Sequence, residues 1–176
     1  TKAHDSEYVA VTIAAWASRY ITGADLATSP TTPLSKGNVV VTEKNKRFTR
    51  NVIADSHVWL ADEPSSAGGD DLGPDPYEHL LAALGTCTSM TIRMYANRKK
   101  IPLDGVSVEL SHSREHATDC QECESEPRKI EVLKKSVSLS GALSDQERSR
   151  LLEIADKCPV HQTLHSEMDI RTIAVD

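Results

Sequence analysis

Asp75-Pro76-Tyr77-Glu78-His79-Leu80-Leu81-Ala82-Ala83-Leu84-Gly85-Thr86-Cys87 is the stretch on which the fold turns. Asp75 is a good N-cap, Pro76 suits the first helical position because its missing N–H is not needed there, and Glu78 completes an Asp-x-x-Glu capping box. The start so marked predicts one long helix running to Lys100. There the basic run Arg98-Lys99-Lys100 suits the negative end of the helix dipole and Pro102 bars continuation. Leu80, Ala83, Cys87, Met90 and Met94 step by 3, 4, 3 and 4, so they are expected to form the buried stripe, with Cys87 on it.

Upstream, Val39 to Val41, Phe48 to Ile53 and His57 to Leu60 read as three short strands of a meander. A Pro, Ser, Gly and Asp loop follows over Glu63 to Asp75. Downstream, Val106, Val108 and Leu110 alternate as a strand expected to pair with a second around Val137 and Leu139. Ser144-x-x-Glu147 is another capping box, opening a helix whose Leu151, Ile154, Ala155 and Cys158 share a face and which Pro159 closes. Glu167 to Val175 alternate as a last strand, with Met168 and Ile170 on one side. At the N-terminus, Asp5 or Ser6 caps a helix with Val9, Ile13, Trp16 and Tyr20 on one stripe, and Pro30 and Pro33 mark a linker. Residues 1–34 thus read as a helical arm and linker, and 35–176 as the main domain. Strands, long helix, strands, helix, strand is the order of an α+β fold.

A chain of 176 residues with a net charge of -6 offers no basic footprint for a phosphate backbone, so no nucleic-acid partner is expected. The longest apolar run, Val9 to Ala17, falls far short of the roughly 20 residues a membrane span needs; no membrane partner is expected either. The start at Thr1 rather than Met fits removal of an upstream segment.

The four cysteines are Cys87, Cys120, Cys123 and Cys158, too few for a disulfide-dense secreted scaffold; they point to thiol chemistry or a metal. The thiolate is the reactive form, and its stability depends on nearby positive charge. Cys87 lies well past the first helical turn, so its activation calls for a cationic side chain from elsewhere, with Arg47, Arg50 and Arg93 as candidates. Cys158, read at the C-terminal end of its helix, sits where the dipole disfavours a thiolate, which makes it the resolving partner and Cys87 the attacker. Taken singly, each is equally well read as a small buried hydrophobe.

Gly73-Pro74-Asp75-Pro76-Tyr77-Glu78-His79-Leu80-Leu81-Ala82-Ala83-Leu84-Gly85-Thr86-Cys87 and Cys158-Pro159-Val160-His161-Gln162-Thr163-Leu164 resemble the two signature regions of the OsmC/Ohr family of osmotically inducible and organic-hydroperoxide-resistance proteins. The similarity covers about residues 37–176. It implies an OsmC-like fold: an antiparallel sheet with a long central helix, in an intertwined homodimer with the active cysteines near the subunit interface. It also implies an enzyme that reduces organic hydroperoxides through a Cys87/Cys158 dithiol–disulfide cycle, restored by an external dithiol reductant and requiring no cofactor. By the same resemblance, Glu78 and either Arg47 or Arg50 are the carboxylate and cation of the site. Family peroxidases carry that Glu directly after the proline; here Tyr77 holds the position and Glu78 follows, a rotation of about 100° on a helix. The chain looks closest to a branch found fused to α/β-hydrolases; with Tyr77 at the position of the expected Glu, a non-catalytic or accessory module, ligand- or zinc-binding or the partner of a fused hydrolase, is the alternative. A stress-response protein of the cytoplasm is expected.

His112, His116, Cys120 and Cys123 step by 4, 4 and 3 between the two later strands. A tetrahedral zinc site, a second redox disulfide and a plain acidic hairpin tip all fit this pattern. His161 reads as a polariser of Cys158, as half of a Cys-His hydrolase pair, or as a structural histidine; no oxyanion motif supports the hydrolase.

Overall fold

The computed structural model describes residues 35–116 and 129–175, with side chains from 35 to 114 and from 130 to 175. The predicted arm over 1–34, and Cys120 and Cys123, lie outside the described residues. The chain divides into two compact units, one ending at Pro74 and the other beginning at Asp75.

In the first unit, β1 (Val39–Glu43), β2 (Arg50–Ala54) and β3 (His57–Ala61) form the expected antiparallel meander, in the order β1-β2-β3. Val52 and Ile53 are its buried apolar residues. The following loop is organised by one carboxylate. Buried Asp62 accepts from the Glu63 amide at 2.8 Å, the Thr49 hydroxyl at 3.1 Å and the Asp70 and Leu72 amides at 3.3 and 3.4 Å. Burial pushes this carboxyl up, but the hydrogen bonds outweigh it and hold it below the usual range.

The second unit starts on the long helix α1 (Pro76–Lys99), whose capping box forms in both directions: Glu78 N–H to Asp75 Oδ1 at 2.8 Å and Asp75 N–H to Glu78 Oε2 at 2.9 Å. The helix closes at Lys100, held in the left-handed region at φ 55. β4 (Leu103–His116) and β5 (Lys129–Gly141) pair as a long antiparallel hairpin, with Val108 opposite Val137 and Val106 opposite Leu139. α2 (Asp145–Ala155) opens on the Ser144/Glu147 capping box, and α3 (Pro159–His165) follows after a short turn. The core joins Ile92 and Ala96 of α1, Leu103 and Leu139 of the hairpin, and Leu151 and Ala155 of α2. Gly85 lets α1 approach β4, since a Cβ there would stand 2.8 Å from Leu110 Cδ1.

Three sequence expectations are corrected. The buried row of α1 is Leu84, Thr88, Ile92 and Ala96, whereas Met90 and Met94 are 65% and 71% exposed. The helix carries two apolar stripes, and Thr88 disguised the buried one as the more polar of the two. Residues 167–175 form no strand, and Ile170 and Val175 are 87% and 91% exposed. Alternation supplies two faces, but a strand also needs a ladder partner, and none pairs with this tail among the described residues. α2 ends at Ala155, so Cys158 does not belong to it; Pro159 opens a new helix instead of merely closing the old one.

Leu151 is fully buried while its neighbour Leu152 is 42% exposed. Leu151→Ala is expected to lower unfolding free energy by about 2–5 kcal/mol, and Leu152→Ala by well under half of that, as read from urea denaturation midpoints.

Candidate functional site

The sulfur of Cys158 caps α3. Its backbone is extended (φ -68, ψ 142), leaving the side chain free to turn back and accept the His161 N–H at 3.3 Å. From α1, the Thr88 hydroxyl lies 3.4 Å from the same sulfur, and both residues are fully buried. Cys87, next to Thr88 in sequence, is half-buried and within hydrogen-bonding reach of Cys158; both thiols are free. Lys135 of β5 adds positive charge on the other side, anchored by the Ala155 carbonyl at 2.9 Å and Asp156 at 3.1 Å.

These surroundings decide the ionisation of Cys158. Burial pushes its thiol up, yet the hydrogen bonds from Thr88, the His161 amide and Cys87, with the charge of Lys135, more than offset this and hold it below the ordinary thiol range. The sequence reading, which put this residue at the C-terminal end of a helix, is corrected in position: Cys158 is the N-cap of α3. His161 acts on the sulfur through its backbone amide. Burial first, and then the Lys135 and His165 charges, push its imidazole below the usual range, and the ring stacks on His165 at 4.6 Å.

Beside the thiols, a cavity of about 610 Å³ opens between α1, β5 and α3. Leu80, Leu84, Leu133 and Leu164 give it aliphatic walls, while His161 and Lys135 connect it to the Cys158 surroundings. Its far rim is a polar cluster that the sequence did not disclose. Glu131 accepts from His112 Nε2 at 2.5 Å and from Arg114 Nε at 2.6 Å. The Tyr77 ring stacks on His112 at 4.2 Å and 9°. The hydrogen bond from His112 and the Arg114 charge together hold the Glu131 carboxyl low against its partial desolvation.

The remaining predicted site residues fall as follows. Glu78 lies at the start of α1 with its carboxylate engaged in the capping box. In the first unit, Arg47 is bound by Asp70 and the Gly68 carbonyl, and Arg50 Nη1 donates to the Arg47 and Thr49 carbonyls at 3.1 and 2.9 Å. Arg93 donates to the Leu103 and Asp104 carbonyls at 2.6 and 3.0 Å, tying α1 to the start of β4. Of the proposed zinc ligands, His112 is paired with Glu131, the His116 backbone ends β4, and Cys120 and Cys123 lie outside the described residues. Among the described residues, no three potential ligands converge on one point. Thr88 and Lys135 were missed. A lone hydroxyl in the otherwise apolar row Leu84, Thr88, Ile92, Ala96 was the signal available for the first.

The second unit is thus a mixed α+β arrangement whose long helix sets a half-buried thiol near a buried one. The chain belongs to the family of OsmC-like proteins, whose family pattern matches residues 68–173, more than half of its 176 residues. Similar solved structures include an OsmC-like protein from Mycoplasma pneumoniae (TM-score 0.57, 19% identity, 74% of this chain and 88% of that one). Another is the organic hydroperoxide resistance protein OsmC from Legionella pneumophila (0.54, 19%, 74% and 91%). A third is an organic hydroperoxide resistance protein from Elizabethkingia anophelis, with thiocyanate bound (0.53, 16%, 73% and 89%). The α+β fold of antiparallel sheets and helices matches theirs. No curated protein matches the chain. Among the described residues, no helix is long and apolar enough to cross a membrane.

His161 is expected to titrate below the ordinary imidazole value in an NMR pH series, and Lys135→Met to move its midpoint upward. Because the folded ring resists protonation that the unfolded ring accepts, the wild type loses stability as the pH falls through the ordinary histidine value.

Proposed function

We propose that the protein is a thiol-dependent peroxidase that reduces organic hydroperoxides through a Cys87/Cys158 dithiol–disulfide cycle. The observation that carries this reading is the pairing of a half-buried Cys87 with a fully buried Cys158 in a chain of this family. Exposure divides the roles. A hydroperoxide reaches the sulfur that retains surface, so Cys87 attacks the O–O bond and becomes a sulfenic acid. Cys158, shielded from bulk peroxide, condenses with it to a disulfide and releases water. The aliphatic walls of the neighbouring cavity favour organic hydroperoxides over hydrogen peroxide. An external dithiol restores the pair, which places the cycle in a reducing compartment such as the cytoplasm. The activating cation for Cys87 is assigned to Arg47 or Arg50, with Glu78 as the carboxylate of the site. The insert bearing His112, His116, Cys120 and Cys123 is a zinc candidate alongside this cycle, not a part of it.

With dithiol supplied, Cys87→Ser is expected to lose at least about 100-fold in the rate of organic hydroperoxide consumption, and mass spectrometry of the oxidised wild type should recover a Cys87–Cys158 link. Undiminished turnover in the variant overturns the peroxidase. A single specific observation favours the second reading, an accessory ligand-binding module for a fused or separate hydrolase. The cavity of about 610 Å³ is large enough for a small apolar ligand, and saturable binding of such a ligand without any peroxide turnover would select it.

A homodimer belongs to the same proposal. Met90 and Met94 stand 65% and 71% exposed on α1, and Met90 borders a groove of about 480 Å³ that Leu81, Val106, Val108 and Leu110 also line. An apolar face of this kind is suited to a second copy. Sedimentation velocity is expected to give a dimer for the wild type and a monomer-shifted distribution for Met90→Glu/Met94→Glu.

A further inference from the structure

A buried sulfur with no surface of its own reacts only with a group that the fold brings to it. Cys158 is fully buried, and so is the Thr88 hydroxyl that meets its sulfur at 3.4 Å from α1. The His161 amide meets the same sulfur at 3.3 Å from α3. The titratable and charged groups around it are Cys87 on α1, Lys135 on β5, His161 on α3 and, in the turn after α2, Asp156, which is itself paired with Lys135 at 3.1 Å.

We propose that Thr88 is a positioning residue that donates to the Cys158 sulfur and readies it, as the nucleophile, for attack on the oxidised Cys87. A hydroxyl donating to a sulfur favours the charged form of that sulfur over its thiol. Thr88 is suited to the task because it occupies the buried row of α1 one residue after Cys87; the helix that carries the attacking sulfur thereby also carries the donor that readies its partner. The order of Cys87 and Thr88 along α1 couples the two thiols through one rigid element.

The cycle that follows is balanced and rests on the peroxidase reading above. The Cys87 thiolate attacks the terminal oxygen of the hydroperoxide. The O–O bond breaks, an S–O bond forms, and the departing alkoxide takes a proton from solvent to leave as alcohol. Cys158, giving up its proton to solvent and assisted by the Thr88 donor, attacks the Cys87 sulfenic sulfur; the S–S bond forms and hydroxide leaves, gaining a proton from solvent to become water. The two sulfurs are oxidised by two electrons together and the hydroperoxide is reduced by two.

The ionisation itself is tested without any peroxide. In a Cys87→Ser/Cys120→Ser/Cys123→Ser background Cys158 is the sole thiol of the four cysteines, and the first of these substitutions keeps a hydroxyl donor beside it. The ultraviolet thiolate absorbance of this protein, measured against a matching Cys158→Ser blank, gives the titration midpoint of Cys158. Thr88→Val is expected to raise that midpoint by about one pH unit, the size that a hydrogen bond to a charged group supports, and Thr88→Ser to return it to the starting value. Thr88→Ala serves as the smaller alternative should the valine variant fail to fold, with far-ultraviolet circular dichroism as the check on folding. A midpoint unmoved in the folded valine or alanine variant overturns the proposal. If Thr88→Val moves the midpoint but the wild type consumes no hydroperoxide, the peroxidase reading falls and the role of Thr88 stands; if the wild type is an active peroxidase and the midpoint does not move, the reverse holds.

Discussion

The structure of the second unit depends on the row Leu84, Thr88, Ile92 and Ala96 along the buried side of α1. Ile92 and Ala96 meet the hairpin and α2 in the apolar core, while Thr88 meets the sulfur of Cys158. Successive members stand four residues apart and therefore share one face of the helix, so packing and chemistry are parts of a single surface. The core fixes the rotation of α1. That rotation fixes where Thr88 points, and with it which sulfur it meets. Burying a hydroxyl in such a row costs free energy unless it finds a partner, and the Cys158 sulfur is that partner.

Much of the architecture was legible in the sequence because it rests on local signals. Both capping boxes, Asp75/Glu78 and Ser144/Glu147, formed as read, since a cap is decided within four residues. The meander and the pairing of Val106 and Val108 with Leu139 and Val137 followed from alternation. What failed was any choice that needs knowledge of a distant partner. The Met90/Met94 stripe and the Leu84/Ile92 row have comparable periodicity, and only the positions of β4, β5 and α2 decide between them. Glu167 to Val175 alternate as well as many strands do, yet among the described residues no neighbour is there to ladder with.

The site was legible in its sulfurs and illegible in its electrostatics. Cys87 and Cys158 stood out by their residue type and are brought to one place. The position of Cys158 was misread because Cys-Pro has two meanings: a proline just past one helix and a proline opening the next look identical in a sequence. Reading the second meaning turns a position disfavouring negative charge into one where an amide, a hydroxyl and a lysine all favour it. The cluster of Tyr77, His112, Arg114 and Glu131 was hidden for a related reason. It joins α1 to both strands of the hairpin, and its members are 54 positions apart at their widest in the chain.

The complete burial of Cys158 also shapes how such a molecule ages. Irreversible over-oxidation needs a second peroxide to reach a sulfur already oxidised once, and it falls on sulfurs that are both ionised and accessible. Here surface is divided unequally between the two sulfurs: Cys158 has none, and Cys87 keeps some beside it. An oxidant arriving from solvent therefore meets Cys87 before it meets Cys158.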